Sequence, residues 1–505
     1  MPTNSKNTKF LTLTSAISVT LLVLVILNIF PLGIKSEWAW KYSSLKNFDG
    51  IWFPLLVSCI FLLLCYKLIA YKKLAGLKPS VEFFSVLGIC FLSYIFNMAI
   101  CSLSPAGFYN LILTIISPWA TSYFNVAVEI RDISYWLSNF HDFIEYTPLH
   151  ARVHPPGNIL FFWWIIHIFK SLPPLTDSLL NMVKSTTLDP LPVFSIIGNT
   201  FRHFFSNSEK AASVFLSLFL PFLKCVVIIP MYYLGKLIYD KKTSLIAVCF
   251  YAVIPALNLF TPGMDQTYSL ISVLSFYLFC FSIKKNKIWI AFLSGLVLST
   301  GIMLSFCFLV ILGLIICYGL IWLYMNKSAW LYATKAFLVL IAGFLLFPLL
   351  FYFSYDFNII KFFLSINVFS ENARLDIVGG GIARRTYWKW LLYNPVDFFM
   401  FVGIPISMLS LRSLYNIIRL RKMETADVLS VSFFIILFLL LVSGINRSEV
   451  ARLWMFLMPF PALIAASQIS QIKMKTSSAF LILLFLQILQ TIVFKLFVNV
   501  YGIIS

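Results

Sequence analysis

The chain consists largely of apolar stretches that are each about as long as a lipid bilayer is thick. A helix needs roughly 20 apolar residues to cross the hydrocarbon core, and 60% of these 505 residues are hydrophobic while only 11% are charged. Because no soluble chain buries so much apolar surface, the sequence predicts an all-α polytopic membrane protein, with residues 1–505 forming a single integral membrane domain. The expected number of membrane-spanning helices is about 12 to 14. The candidate spans are 10–33, 51–71, 82–104, 156–172, 211–235, 243–260, 267–283, 288–303, 305–325, 333–354, 395–413, 427–445, 452–470 and 478–500.

Basic residues lie mostly in the short connections between these stretches. The formal net charge of +19 therefore reflects the positive-inside rule and attraction to anionic lipids, and it does not indicate nucleic-acid binding. The rule predicts a plasma (inner) membrane protein whose basic connections face the cytoplasm. The predicted cytoplasmic connections are 71–78, 239–242, 284–287, 419–422 and 473–475. The predicted outer segments are 105–155, 261–266, 355–394 and 446–452.

One segment disturbs this alternation. Residues 173–210 contain no full span, yet 211–235 has to run towards the basic connection 239–242. An extra crossing or a re-entrant piece is therefore expected between 173 and 210, and the four prolines there favour irregular backbone.

The loop 105–155 carries an unusual share of the titratable residues. Its last part reads HARVHPPGN (150–158) and leads into the apolar run ILFFWWIIHIF. Glu129 and Asp132 lie upstream, three residues apart, so on a helix they would share a face. A carboxylate at a membrane surface can act as a general base towards a hydroxyl group. Ordinary solvated charges on an amphipathic helix are the alternative interpretation.

The second large outer loop, 355–394, combines arginines with aromatic residues. Arg384 and Arg385 follow three glycines and precede TYWKW, a pattern that suits a lipid phosphate beside a sugar. An interfacial aromatic belt would look similar. The sequence NRSEVARLWMFLMPFP (446–461) places Arg452 at the start of an apolar run, where it could bind an anionic head group or pair with Glu449. In TPGMDQTY (261–268), Asp265 is expected at a helix start, where a cap is the alternative role.

Together these pieces resemble the GT-C superfamily of membrane glycosyltransferases, which includes protein O-mannosyltransferases and the bacterial aminoarabinose transferase. The similarity lies in an acidic outer loop followed by VHPPGNILFFWW, in TPGMD, and in RLWMFLMP. It covers most of the chain but only as scattered short motifs. Many members carry an acidic pair directly after the first span, whereas Glu129 and Asp132 follow about three predicted spans.

The resemblance implies transfer of a sugar from a polyprenyl-phosphate donor to an acceptor hydroxyl on the outer face, with inversion. Glu129 or Asp132 would be the catalytic base, and the substrate or its phosphate would be bound by His150, His154, Asp265, Arg384, Arg385 and Arg452. The acceptor would be a lipid, a glycan or a protein. The sequence contains no metal cage, although some relatives use a divalent cation. Two alternatives stay open: an envelope-polysaccharide ligase or polymerase, and a flippase or transporter for a lipid-linked sugar.

Overall fold

The computed structural model of the chain is almost entirely helical. It describes residues 2–71, 76, 78–118, 120–185, 191–201, 203–373, 375–378, 381–421, 423–470 and 476–500, without the side chains of 2–7, 149, 191, 201, 367–373, 375–378, 381–384 and 476. The helices of the N-terminal half are α1 (Pro2–Ile26), α2 (Trp52–Ala70), α3 (Pro79–Cys101), α4 (Tyr109–Ile116), α5 (Tyr123–Glu129), α6 (Ile133–Ser138), α7 (Phe140–Phe143), α8 (Leu149–Arg152), α9 (Gly157–Ser171), α10 (Pro173–Lys184), α11 (Leu191–Phe201), α12 (Asn207–Val226) and α13 (Ile228–Ile238).

The C-terminal half adds fourteen further helices within the described residues. They are α14 (Lys241–Ala252), α15 (Pro255–Leu259), α16 (Tyr268–Lys285), α17 (Ile288–Leu304), α18 (Cys307–Met325), α19 (Trp330–Phe344), α20 (Leu346–Tyr355), α21 (Ile359–Ala373), α22 (Tyr387–Val402), α23 (Ile404–Leu420), α24 (Val428–Ser443), α25 (Val450–Leu453), α26 (Pro459–Ser470) and α27 (Thr476–Phe497). Three small antiparallel pairs complete the fold: β1 (Gly33–Ile34) with β2 (Trp38–Ala39), β3 (Lys41–Tyr42) with β6 (Val498–Asn499), and β4 (Leu375–Val378) with β5 (Gly381–Arg384).

Nine helical segments within the described ranges are long and apolar enough to cross a membrane. The number becomes 11 if the bent pairs α9–α10 and α22–α23 each count as one span. The shorter apolar helices Ile288–Leu304 and Met455–Ser470 coincide with the predicted spans 288–303 and 452–470. The prediction of an all-α polytopic membrane protein is confirmed.

Two predicted spans are wrong as straight crossings. The span predicted at 395–413 bends by 119° between α22 and α23, where Gly403 has φ +104° and Pro405 follows. Gln487 of α27 donates to the carbonyl of Val402 (2.6 Å), and the Oε1 of Gln490 accepts from the Ile404 amide (2.9 Å). A broken helix is tolerated in the membrane because such side chains satisfy its freed backbone groups. The span predicted at 243–260 ends at Ala252, since the residue before Pro255 is disfavoured in a helix.

The segment that disturbed the predicted alternation has a bent structure. Helices α9 and α10 enclose an angle of 97°, which is the geometry of a broken span or a re-entrant loop. Both helices pack on α12, which leads through α13 towards Lys236. The bend lies at the end of the span predicted at 156–172, which forms α9, and α10 covers the first part of the segment 173–210 in which an extra crossing or a re-entrant piece was expected.

The basic connections that the structure describes gather at one end of the bundle. Glu82 at the start of α3 forms ion pairs with Lys236 and Lys241, the latter at 2.8 Å. Lys284 donates to the carbonyl of Leu237. From this end, α16 runs back for 18 residues, about 27 Å at 1.5 Å per residue, to the turn that carries Asp265. The acidic and basic residues of the candidate site therefore lie at the end of the bundle remote from the cluster at Glu82.

Candidate functional site

The HPP motif fits closely against the end of α17. Helix α9 begins at Gly157, directly after Pro155 and Pro156. A Cβ on Gly157 would lie 2.3 Å from the carbonyl oxygen of Met303, so only glycine allows this approach. The buried Asn158 donates to the Tyr268 hydroxyl (2.8 Å) and to the carbonyl of Leu304 (3.1 Å). These contacts fix the HPP loop to the beginning of α16 and to the end of α17.

His150 and His154 are uncharged at neutral pH. Burial, together with the nearby charge of Arg452, lowers the pKa of His150 from 6.5 to about 4. Burial, the neighbouring His150 and Arg452 lower the pKa of His154 to about 4 as well. The ring of His154 meets that of Tyr123 edge-on at 5.7 Å, and its Nδ1 is buried with no hydrogen-bond partner among the described residues. A neutral imidazole donates one hydrogen bond and accepts another, so this side chain can bind a polar ligand without carrying a charge.

Four oppositely charged side chains form an ion-pair cluster beside the histidines. Arg452 lies 3.0 Å from Glu449 and 3.8 Å from Asp265, and Arg385 lies 3.9 Å from Glu449. Each of these four side chains is only 14–22% exposed. Because Asp265, Arg385 and Arg452 are far apart in sequence, the fold alone brings them together. The two guanidinium groups of this Asp265–Arg385–Glu449–Arg452 cluster are suited to binding a phosphate.

The segment that presents Glu449 and Arg452 has an unusual backbone. Ser448 and Glu449 have φ values of +90° and +57°, which are costly for residues other than glycine. The buried Asp397 accepts from the Ala451 amide (3.1 Å) and from Trp40 Nε1 (2.9 Å). The Ser448 amide donates to Asn394, and Trp454 donates to Asn446. These contacts hold the strained turn in place, so the position of Arg452 is fixed by α22 and by the β1–β2 hairpin.

Glu37 anchors the segment that carries Arg385. This carboxylate is 4% exposed and accepts from the Thr386 amide (2.7 Å), Lys389 Nζ (2.8 Å) and Trp390 Nε1 (2.8 Å). Burial alone would raise its pKa, but these hydrogen bonds lower the pKa below its usual value. The guanidinium of Arg385 lies over the ring of Trp38, 6.0 Å from its centroid. The hairpin after α1 thus forms one wall of the site.

Glu37 and Asp397 were missed by the sequence reasoning. Both are acids in strongly apolar or aromatic surroundings, and Glu37 lies in the hairpin after α1, which ends at Ile26. A lone carboxylate among aromatic residues, in SEWAWKY, was the available signal for Glu37. The local sequence around Asp397, NPVDFF, does not distinguish a buried acid from a surface acid.

The predicted catalytic pair lies at the surface. Glu129 is the last residue of α5 and is exposed, and Asp132 is exposed and caps α6 by accepting from the amides of Ser134 (2.9 Å) and Tyr135 (3.0 Å). Tyr123, which contacts His154, begins the same helix, so Glu129 lies about 9 Å further along its axis. The catalytic role of either acid stays a prediction. Arg384 ends β5, and its side chain lies outside the described residues.

An apolar groove opens next to the HPP contact. It has a volume of about 480 Å³ and is lined almost entirely by apolar side chains, among them Ile302, Phe306, Phe344, Leu349 and Phe363. Ile302 and Phe306 flank the residues whose carbonyls contact Gly157 and Asn158. The HPP loop and an apolar surface therefore meet at the end of α17. Among the described residues, no group of three or more His, Cys, Asp or Glu side chains is arranged to hold a metal ion.

The likeness of this chain to known proteins is structural and distant. No family model matches the sequence, and no curated protein matches it. Among solved structures, the chain is similar to the oligosaccharyltransferase of Archaeoglobus fulgidus, solved in complex with Zn and sulfate, with a TM-score of 0.35 and 13% identity. The likeness covers 59% of this chain and 43% of that protein, so the chain spans less than half of its length.

Proposed function

We propose that the protein is a membrane glycosyltransferase that transfers a sugar from a polyprenyl-phosphate donor to an acceptor hydroxyl, with inversion. The observation that carries this proposal is the convergence of His150, His154, Asp265, Arg385 and Arg452 on one partly buried cluster. Three of the short motifs that resemble the GT-C superfamily meet there, namely VHPPGN, TPGMD and RLWMFLMP, whereas the acidic pair Glu129 and Asp132 lies at the surface. The donor, the acceptor and the stereochemistry are parts of the proposal.

The cluster offers a site for a lipid phosphate. Arg385 and Arg452 would stabilise the negative charge that develops on the phosphate as it leaves, and such charge-assisted contacts are strong in a partly dry site. These arginines face Asp265 and Glu449, which balance their charge. The apolar groove beside α17 would hold the first isoprene units of the donor, because Ile302 and Phe306 of its lining flank the residues that contact the HPP loop.

Asp265 is the best placed carboxylate for taking a proton from the acceptor. Its side chain is 16% exposed and lies 3.8 Å from the guanidinium group of Arg452. In the proposed step the acceptor oxygen attacks the anomeric carbon, and its proton passes to the Asp265 carboxylate. The bond between the anomeric carbon and the phosphate oxygen breaks, and the electron pair leaves with the polyprenyl phosphate. A single displacement of this kind inverts the anomeric carbon.

The neutral histidines would orient the sugar or the acceptor. The unpartnered Nδ1 of His154 offers one hydrogen bond to a hydroxyl group. Because neither imidazole is charged near pH 7, neither competes with the arginines for the phosphate or repels them.

A comparison of three carboxylate variants tests the proposal. We expect Asp265→Asn to lower the release of undecaprenyl phosphate from synthetic undecaprenyl-phosphate sugars by about 10²–10⁴-fold, the range for loss of a general base. Membranes from cells that lack the protein serve as the acceptor source, and a panel of hexoses and pentoses replaces the unknown sugar. Glu129→Gln and Asp132→Asn are assayed in parallel. If Asp265→Asn keeps full activity while Glu129→Gln or Asp132→Asn loses activity, the catalytic base is Glu129 or Asp132 and not Asp265.

Binding of the leaving group tests the phosphate site separately. We expect Arg452→Met and Arg385→Met to bind undecaprenyl phosphate about 10- to 100-fold more weakly, which corresponds to loss of one hydrogen bond to a charged group. Arg419→Met is the matched control, because Arg419 stacks near Tyr415 at the C-terminal end of α23. Equal affinity in all variants, or no release from any donor in the panel by the unmodified protein, would contradict a polyprenyl-phosphate glycosyltransferase.

A further inference from the structure

A lysine lies in the interior of the helical bundle at a position that the proposed chemistry does not use. Lys224 is on α12, inside the candidate span Asn207–Ile238, and is 0% exposed. Within the described part of the chain no carboxylate lies within ion-pair distance of its amino group. Removing an ammonium group from water costs several kcal/mol, and ionisable groups within membrane spans are rare and commonly functional.

Hydrogen bonds connect this lysine to the loop that carries Asp265. Lys224 Nζ donates to Asn258 Oδ1 (3.1 Å), which also accepts from Asn97 Nδ2 (2.9 Å). Asn97 Nδ2 lies 3.0 Å from Thr261 Oγ1, and Thr261 Oγ1 lies 3.0 Å from Gln266 Oε1. Gln266 is the direct neighbour of Asp265. All five of these side chains are at most 1% exposed.

The network joins four separate elements of the fold. Asn97 lies on α3, Lys224 on α12, Asn258 on α15, and Gln266 in the single 3₁₀ turn Met264–Gln266 before α16. Helix α12 packs directly on this turn. Asn258 also donates to the carbonyls of Ala252 and Ile254, which satisfies the break between α14 and α15. A short turn has few hydrogen bonds of its own, so its position depends on these partners.

We propose that Lys224 is a positioning residue that sets the location of Asp265 through the hydrogen-bonded side chains of Asn258, Asn97, Thr261 and Gln266. This inference rests on the proposed function of Asp265. Lys224 does not contact the Asp265–Arg385–Glu449–Arg452 cluster. It acts through the hydrogen bonds that hold the 261–266 loop in place. A displacement of about 1 Å in a reacting group can cost about 10²-fold in rate, so loss of the lysine is expected to slow turnover without removing the phosphate site.

Two variants break the network at different points. Lys224→Met keeps the length and apolar stem of the side chain but removes the donor, and Thr261→Val removes the hydroxyl link while keeping the shape. Thr491→Val is the matched control, because Thr491 is equally buried and hydrogen-bonded to the carbonyl of Val253 but lies outside the network. The measurements are kcat and KM for release of undecaprenyl phosphate, together with thermal unfolding of each purified variant.

We expect Lys224→Met and Thr261→Val each to lower kcat by about 10- to 100-fold, with KM for the donor within about twofold of the unmodified protein and with Thr491→Val close to normal. The double variant is expected to lose little more than either single variant, since both break one connection. Normal kcat in Thr261→Val, or equal losses in Thr491→Val, would overturn the inference even if Lys224→Met fails to fold. If Asp265→Asn retains full activity, the proposed role of Asp265 as catalytic base is refuted. If Asp265→Asn is inactive while Lys224→Met and Thr261→Val both turn over normally, the role of Asp265 stands and the positioning role of Lys224 is refuted.

Discussion

The partly buried, neutral state of His150 and His154 predicts that the protein loses stability as the pH falls from 7 to 5. Each histidine has a pKa of about 4 in the folded protein, whereas an unfolded chain has a histidine pKa of about 6.5. Between these two values the unfolded state binds more protons than the folded state, so stability is present above pH 6.5 and is lost as the pH falls towards 4. The linkage relation gives a loss of about 2 kcal/mol for each histidine between pH 7 and pH 5, or about 4 kcal/mol for both.

Thermal unfolding of the purified protein in detergent at pH 7 and pH 5 measures this loss. Replacement of both residues, in His150→Gln/His154→Gln, removes the two titrating groups while keeping hydrogen-bonding side chains. We expect the unmodified protein to lose about 4 kcal/mol more than the double variant over this pH range. His203→Gln is the control, because the His203 side chain is 40% exposed and is hydrogen-bonded to Glu209. The same pH dependence in the unmodified protein and in the double variant would refute the assignment of both groups as buried and neutral.

Three further outcomes follow from particular contacts. Leu349→Trp fills the apolar groove beside α17 and is expected to weaken binding of undecaprenyl phosphate about 10-fold, the cost of roughly two lost isoprenoid methylene contacts. Leu338→Trp, on the exposed face of α19, should leave the affinity unchanged. Equal affinities of the two variants would exclude the groove as the binding site of the isoprenoid chain. Glu37→Gln should lower the free energy of unfolding by about 2 kcal/mol, because the buried carboxylate accepts three hydrogen bonds. Glu145 is exposed, so Glu145→Gln should show no such loss when unfolding is measured at the same pH. Gly403→Ala should lower the free energy of unfolding by about 1–3 kcal/mol because of the positive φ of this residue and its contact with Gln487. Gly313→Ala, whose added methyl would meet Ile436 only at 3.5 Å, should be nearly neutral. Similar values for the two variants would contradict the requirement for glycine at the bend between α22 and α23.

The candidate site was partly visible in the sequence. Asp265 and Arg452 were identified because each stands at the edge of an apolar run, and Arg385 because it lies between three glycines and an aromatic stretch. The HPP loop was identified because three of the five histidines lie between residues 141 and 154. Glu129 and Asp132 were identified because they are three residues apart in the same loop, yet they lie exposed, and Asp132 caps a helix. Local sequence does not tell a surface carboxylate from one that the fold encloses.

By itself the sequence determined that the chain is helical and crosses a membrane, and where most of its apolar helices begin and end. It could do so because the length of a span and the charge of a loop are local properties, set by the thickness of the bilayer and by the cost of burying charge. Only the tertiary structure decided that α22 and α23 bend at Gly403, where two glutamines of α27 take over the freed backbone groups. Only the tertiary structure decided that Glu37 holds the Arg385 segment and that Lys224 is connected to the turn beside Asp265. These are contacts between residues that lie from about 35 to more than 350 positions apart, and their energies depend on shared burial that no local pattern encodes.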